Sequence, residues 1–175
     1  MACRVRPWTI DDLPAVRAVT WSTWVDAYSS FIPVDDLRSY FVDHYSLEDL
    51  QRLYRNPLVH GFVVESDGLV VGFLKTQFAP EENRLYVSSV YVLPEAQGKG
   101  FGGELMQQAE AVARRQGVVE IWLGVMTQNR PALDWYVRHG FEFKEELPFT
   151  MGRTTVPHLI GRKALDGVKS DGKGT

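Results

Sequence analysis

The run with the clearest chemical use is Gln97-Gly98-Lys99-Gly100-Phe101-Gly102, followed by Gly103. It stands between an apolar run over residues 85–93, closed by Pro94, and a helical pattern over residues 103–116. Strand, glycine turn and helix in that order make a phosphate-binding arrangement. Gly100 and Gly102 have no Cβ, so the backbone there can bend sharply and come close to a ligand. The first N–H groups of the helix have no partner within it. They point outward with the positive end of the helix dipole, which suits a pyrophosphate. Gly98, Gly100, Gly102 and Gly103 do not give the dinucleotide spacing G-x-G-x-x-G, and no Lys-Ser or Lys-Thr follows them as in a P-loop. The spacing that fits is Gln-x-x-Gly-x-Gly.

A second constellation follows. Ile121-Trp122-Leu123-Gly124-Val125 reads as a short buried strand, Asn129, Ala132 and Tyr136 fall on a helical stretch, and His139-Gly140-Phe141 ends it. The glycine turn followed by Asn…Tyr…Gly-Phe resembles the acetyl-coenzyme A site of the GNAT N-acetyltransferase superfamily. The resemblance covers about residues 4–165, nearly the whole chain. It implies acetyl-CoA as cosubstrate, with no metal. The phosphates would be held by the main chain of Gln97, Gly98, Lys99, Gly100, Phe101, Gly102 and Gly103, with added charge from Lys99. The main chain of Val90, Tyr91 and Val92 would face the pantetheine arm, one N–H there polarising the thioester carbonyl. Asn129 matches a polar contact to the same arm, and Tyr136 matches the family's general acid. A phenol with a reference pKa of about 10 is protonated at neutral pH and can give its proton to a departing thiolate. Packing beside Trp135 is the competing reading of Tyr136, and helix capping that of Asn129.

The resemblance also implies a base that removes the amine's proton, often a glutamate on the central strand. Here that strand reads Leu85-Tyr86-Val87-Ser88-Ser89-Val90, without a carboxylate. Glu81, Glu82, Tyr86, Ser88 and His158 are the candidates, with loss to solvent through a water chain as the alternative; His44 and His60 read as surface or packing residues. Three segments, Trp24-Val25-Asp26-Ala27-Tyr28, Ile121-Trp122-Leu123-Gly124-Val125 and Phe149-Thr150-Met151-Gly152, are similar to the bacterial spermidine/spermine N-acetyltransferase branch. That similarity implies a primary amine as acceptor, with polyamines as the first class. Tyr86 and Ser88 stand where the branch carries acidic residues; Asp26, Asp35 and Asp36 are the substitutes at hand. Trp21, Trp24, Tyr28, Phe31 and Tyr40 read as core, or as a pocket holding a cation. Protein N-termini, lysines and amino-sugar antibiotics are the other acceptors. An acyl-CoA-binding regulatory module with little catalysis is the rival function.

Composition sets the frame. The 175 residues suit one domain, and hydrophobic and charged contents of 45% and 23% are ordinary for a soluble globular protein. A net charge of -3 gives no basic footprint for nucleic acid. No apolar run reaches the roughly 20 residues that span a bilayer, and the first residues lack a signal-peptide core. The lone Cys3 cannot form an internal disulfide, so a reducing cytoplasm is expected. The partner expected is a small-molecule amine, with a homodimer admitted and neither nucleic acid nor membrane.

Patterning predicts a strand over residues 4–6, and helices over 10–28 with Thr9 as N-cap, after Pro33 to include Leu37, Tyr40 and Phe41, and over 47–55. Strands follow at 61–65 and 69–78, joined by a turn at Ser66-Asp67-Gly68, and at 84–92. After the glycine turn, Phe101, Leu105, Ala109 and Val112 form a helical stripe that ends at Gln116-Gly117. A strand at 118–125, a helix at 129–138 and strands at 141–145 and 154–163 complete the set. The expected fold is α/β (α+β), a single domain over residues 1–165 with a mixed, mostly antiparallel central sheet flanked by helices, and a mobile tail over 166–175.

Overall fold

The computed structural model describes residues 3–166. Seven strands form one sheet: β1 (Cys3–Pro7), β2 (Val59–Ser66), β3 (Leu69–Ala79), β4 (Arg84–Val92), β5 (Glu120–Met126), β6 (Glu142–Met151) and β7 (Thr154–Ala164). Their spatial order is β1-β2-β3-β4-β5-β7-β6. Every pairing is antiparallel except that of β4 with β5. A parallel pair needs a crossover, and α4 (Phe101–Gln116) supplies it. The helices α1 (Leu13–Tyr28), α2 (Val34–His44) and α3 (Leu47–Arg55) precede β2, and α5 (Arg130–Arg138) lies between β5 and β6. The tail expected at 166–175 lies, past Asp166, outside the described residues.

The sheet divides the core into two apolar layers. On one side Leu105, Ala109 and Val112 of α4 pack on Leu74, Leu85 and Ile121, joined by Leu133 of α5 and by Phe141. This is the stripe read in the sequence. Gly117 closes α4 at φ 71, its N–H bonded to Ala113 O and Arg114 O. On the other side α1, α2 and α3 bring Leu13, Val16, Trp24, Leu37, Phe41 and Leu50 against Val63 and Phe73.

Several boundaries differ from the sequence reading, each for a local reason. A short 3-10 turn at Ile10–Asp12 precedes α1. Asp12 accepts the Thr9 N–H at 2.7 Å and the Arg6 guanidinium at 2.7 Å, which anchors the helix entry to β1. The inner face of α1 includes Thr20 and Thr23, whose hydroxyls donate to Val16 O and Val19 O, so burial leaves neither orphaned. Trp21, one of the aromatics read as core or pocket, lies half-buried over Phe41 with Arg38 stacked on it. β6 runs on to Met151, past Pro148, because it is an edge strand and a missing N–H there costs no ladder bond. Asp67 and Gly68, at φ 50 and 81, make the tight hairpin turn that residues 66–68 suggest. Helix α4 starts at Phe101, two residues before the expected start.

Two irregularities in β4 prepare the site. Lys75 pairs with Ser89 and Thr76 with Val87, so Ser88 is an extra, unpaired residue on β4. Such a bulge bends the strand. In step with it, β4 and β5 pair only at Leu85–Ile121 and Tyr86–Trp122, then part.

Candidate active site

The parting of β4 and β5 opens a cleft of about 950 Å³. Leu93 N donates to Val71 O at 2.9 Å, so the end of β4 is bonded to β3 at that residue. Main-chain groups alternate along an antiparallel pair. Those of Val92 and Val90 therefore face away from β3, towards the cleft, whereas those of Tyr91 face β3. Gln97 Nε2 donates to Val92 O at 3.0 Å, which ties the glycine turn to the strand end. Of the three strand residues singled out in the sequence, Val90 and Val92 offer main chain to the cleft and Tyr91 offers its ring.

The turn is shaped by glycine at two positions. Gly98 and Gly100 hold φ 77 and 86, and a Cβ on either would meet nothing within 4 Å. Backbone conformation requires glycine there, and the surrounding space stays open. Gly103 also faces open space, in helical conformation. Gly102 differs: a Cβ would lie 3.1 Å from Trp135 Cζ2, so its smallness serves the contact between α4 and α5. Phe101 turns its side chain into the core and leaves only its main chain at the helix start. Lys99 is exposed on the turn, outside the cleft lining. The first turn of α4 thus presents unpaired N–H groups at one end of the cleft. Room for a close approach, open N–H groups and the free main chain of Val90 and Val92 fit a long phosphate-bearing thioester.

Asn129 and Tyr136 line the same cleft from the α5 side. The Asn129 side chain accepts Ala132 N at 3.4 Å and so caps α5 while facing the cleft. Tyr136 is half-buried, its ring set edge-on to Trp135 (5.1 Å) and Phe141 (5.5 Å). Its hydroxyl has no hydrogen-bond partner among the described residues. Burial, then the nearby Tyr91 phenol, pushes it well above the ordinary phenol value.

The cleft leads into a smaller cavity of about 280 Å³, and both are lined by Tyr28, Val87, Ser88, Tyr91 and Gly124. Rings of Trp24, Tyr28, Tyr40, Tyr45, Tyr91 and Phe149 wall this cavity, with Met126, Met151 and His158. Trp24 stands edge-on to Tyr45 at 5.1 Å, and Tyr40 meets Phe149 at 5.7 Å. Burial raises the phenols of Tyr28, Tyr40, Tyr45 and Tyr91. Among the described residues no carboxylate lines this box. Asp36 holds its wall in place instead: its carboxylate accepts Arg153 N at 3.0 Å and Thr154 Oγ1 at 2.6 Å, fixing the β6–β7 turn on α2. Those two bonds hold its pKa below the usual range. Asp26 lines the larger cleft, and Asp35 lines neither cavity.

The structure sorts the remaining candidates. Glu82 accepts the Tyr86 hydroxyl and sits beside Arg84; neither these three nor Glu81 lines either cavity. Ser88 lines both, with its hydroxyl turned to Lys75 O at 3.3 Å. Of the early aromatics, Trp24, Tyr28 and Tyr40 reach the box, Phe31 reaches the cleft and Trp21 neither. His44 packs on Tyr40, and burial lowers the pKa of His60. Sequence reasoning missed Tyr45 and Met126, for which no motif exists. It also missed Lys75, buried at 9% exposure behind the box, its Nζ 5.1 Å over the Tyr45 ring, where burial pushes its pKa down to about 8. Among the described residues no group of His, Cys, Asp and Glu is placed to hold a metal ion, and no helix is long and apolar enough to cross a membrane.

Comparison with known proteins agrees with this geometry. Residues 21–141 match the model of the acetyltransferase (GNAT) family. A streptothricin acetyltransferase of Streptomyces lavendulae is 38% identical over 80 residues, 46% of this chain; the match spans only 42% of that protein. A spermidine N(1)-acetyltransferase of Thermoplasma acidophilum is 24% identical over 149 residues, 83% of this chain and 91% of that one. In fold, the chain superposes on the PaiA N-acetyltransferase of Thermoplasma acidophilum, solved in complex with coenzyme A, with a TM-score of 0.82 at 22% identity, over 94% of this chain and 99% of that one. The chain belongs to the GNAT acetyltransferase family and is an N-acetyltransferase that uses acetyl-CoA as cosubstrate.

Proposed function

We propose that the chain acetylates a small primary amine seated in the aromatic box, with polyamines as the first class of acceptor. One observation carries this reading. The three segments similar to the spermidine/spermine branch are far apart in sequence, yet Trp24 and Tyr28, Gly124, and Phe149 and Met151 all line the box. The spermidine N(1)-acetyltransferase of Thermoplasma acidophilum, matched over most of both chains, supports the same class. Aromatic faces hold an ammonium by its charge, and desolvation among them favours the neutral, nucleophilic amine. The other charges of a polyamine would remain outside the box, towards solvent.

Bound acetyl-CoA supplies an acetyl group activated as a thioester. Gly98, Gly100, Gly103 and the first N–H groups of α4 receive the phosphates. The main chain of Val90 and Val92 and the side chain of Asn129 orient the pantetheine arm. Tyr136, kept protonated by burial, gives its proton to the sulfur as the C–S bond breaks and the N–C bond forms. The lone exposed cysteine keeps a reducing cytoplasm as the proposed compartment.

Thiol release from acetyl-CoA with a panel of amines tests the reading. Spermidine and spermine are expected to be turned over. Turnover of an amino-sugar antibiotic, a lysine or a protein N-terminus without either polyamine would remove the polyamine class. Failure of every amine would favour an acyl-CoA-binding module.

A further inference from the structure

Among the described residues that line the box there is one imidazole, His158; the other ionisable lining groups are phenols. His158 lies on β7, opposite Met126 of β5 and Leu147 of β6. Its Nδ1 is 2.7 Å from Leu147 O. A carbonyl only accepts, so in the neutral ring Nδ1 carries the proton and Nε2 is the free acceptor. Nε2 has no hydrogen-bond partner among the described residues.

The ring's position is built into β5. A Cβ on Gly124 would lie 2.7 Å from His158 Cδ2 and 3.2 Å from Nε2. Glycine is therefore the residue that leaves the imidazole where it stands, and Gly124 lies where box and cleft meet. Phe149 holds the ring from β6 at 5.3 Å.

We propose that His158 is the catalytic base of the acetyl transfer, Nε2 taking the proton of the acceptor ammonium directly or through one water. This rests on the amine-acetyltransferase reading above. The nitrogen lone pair so freed forms the N–C bond, and the C–S bond breaks. The sulfur takes the Tyr136 proton. The second proton lost by the new amide nitrogen restores Tyr136 through solvent, and His158 releases its own to solvent. The titratable groups that share the box with the ring are, among the described residues, Tyr28 from α1, Tyr40 from α2, Tyr45, and Tyr91 from β4, with none from β5. Glu145 of β6 shares the strand face by register and is exposed.

The test compares pH profiles of kcat/KM for the wild type, His158→Gln and Gly124→Ala on the best amine. His158→Gln should lose roughly 10²-fold, and its rising limb should move up to the pH at which the free amine titrates. Calorimetric affinity for acetyl-CoA should be unchanged. Gly124→Ala, which displaces the ring, should change in the same direction by less. A folded His158→Gln with wild-type rate and profile would overturn the proposal. If that variant does not fold, an unaltered Gly124→Ala overturns it. Long-range 1H–15N spectra of the free protein should show the proton on Nδ1; a proton on Nε2 contradicts the assignment. A wild type inactive on every amine would defeat the acetyltransferase reading first, and this inference with it.

Discussion

The two ends of the cleft are made from different parts of the chain. The end proposed for the coenzyme is mainly backbone: open N–H groups at the start of α4, the left-handed Gly98 and Gly100, and the outward-facing main chain of Val90 and Val92. It is almost continuous in sequence, and Gln97 bonded to Val92 O holds turn to strand. The end proposed for the acceptor is side chain. Its walls come from α1, α2, β4, β5, β6 and β7, brought together only by the fold. A backbone site demands glycine at fixed spacing and tolerates little change. A side-chain box can alter its substrate one ring at a time and leave the coenzyme end untouched.

Substitutions should separate the two ends. The largest effect is expected at the residue matched to the general acid. Tyr136→Phe keeps the ring between Trp135 and Phe141 and removes the acidic proton, so kcat should fall roughly 10²-fold. Acetyl-CoA affinity should hold, and an undiminished kcat would assign the residue to packing. Next, Tyr40→Ala opens the box wall beside Phe149 and should raise KM for the amine roughly tenfold, the scale of one lost aromatic contact to a cation. An unchanged KM would place the acceptor elsewhere. The smallest effect concerns stability. The pKa of Lys75 is pushed down to about 8 by burial. The unfolded chain, near the reference of about 10.4, therefore binds more protons between the two values. Stability should rise with pH across that window, and below about 8 the buried lysine is a net cost. Lys75→Met should stabilise the fold at pH 7 by about 1–3 kcal/mol, from the size of the shift. A lower Tm would show that the charge is compensated by groups beyond the Tyr45 ring.

The same contrast explains what the sequence disclosed. The glycine turn, the α4 stripe and the Asn129–Tyr136 spacing are local patterns, and each lies on the element expected of it. Gly102 is an exception within a legible motif: its missing side chain answers to Trp135, a contact between helices that the motif does not encode. The Ser88 bulge leaves no trace, because a strand with one extra residue keeps the same composition. The box was half legible. Trp24, Tyr28 and Tyr40 stood out by type, but Tyr45 and Met126 join them only through packing of α2 and pairing of β5. Lys75 carries no signal of its own in the sequence, and only the fold shows it buried on β3 two residues from Phe73.

The division of labour is tested most directly by calorimetric affinity for acetyl-CoA, measured on Gly103→Asp and Tyr40→Ala side by side. Gly103 is helical with nothing near its Cβ, so an aspartate fits there without strain. Its charge would sit where the helix start is expected to meet phosphate, and affinity should fall by roughly tenfold or more. Tyr40→Ala should bind acetyl-CoA as the wild type does. Equal loss in both variants, or unchanged affinity in Gly103→Asp, would contradict the account.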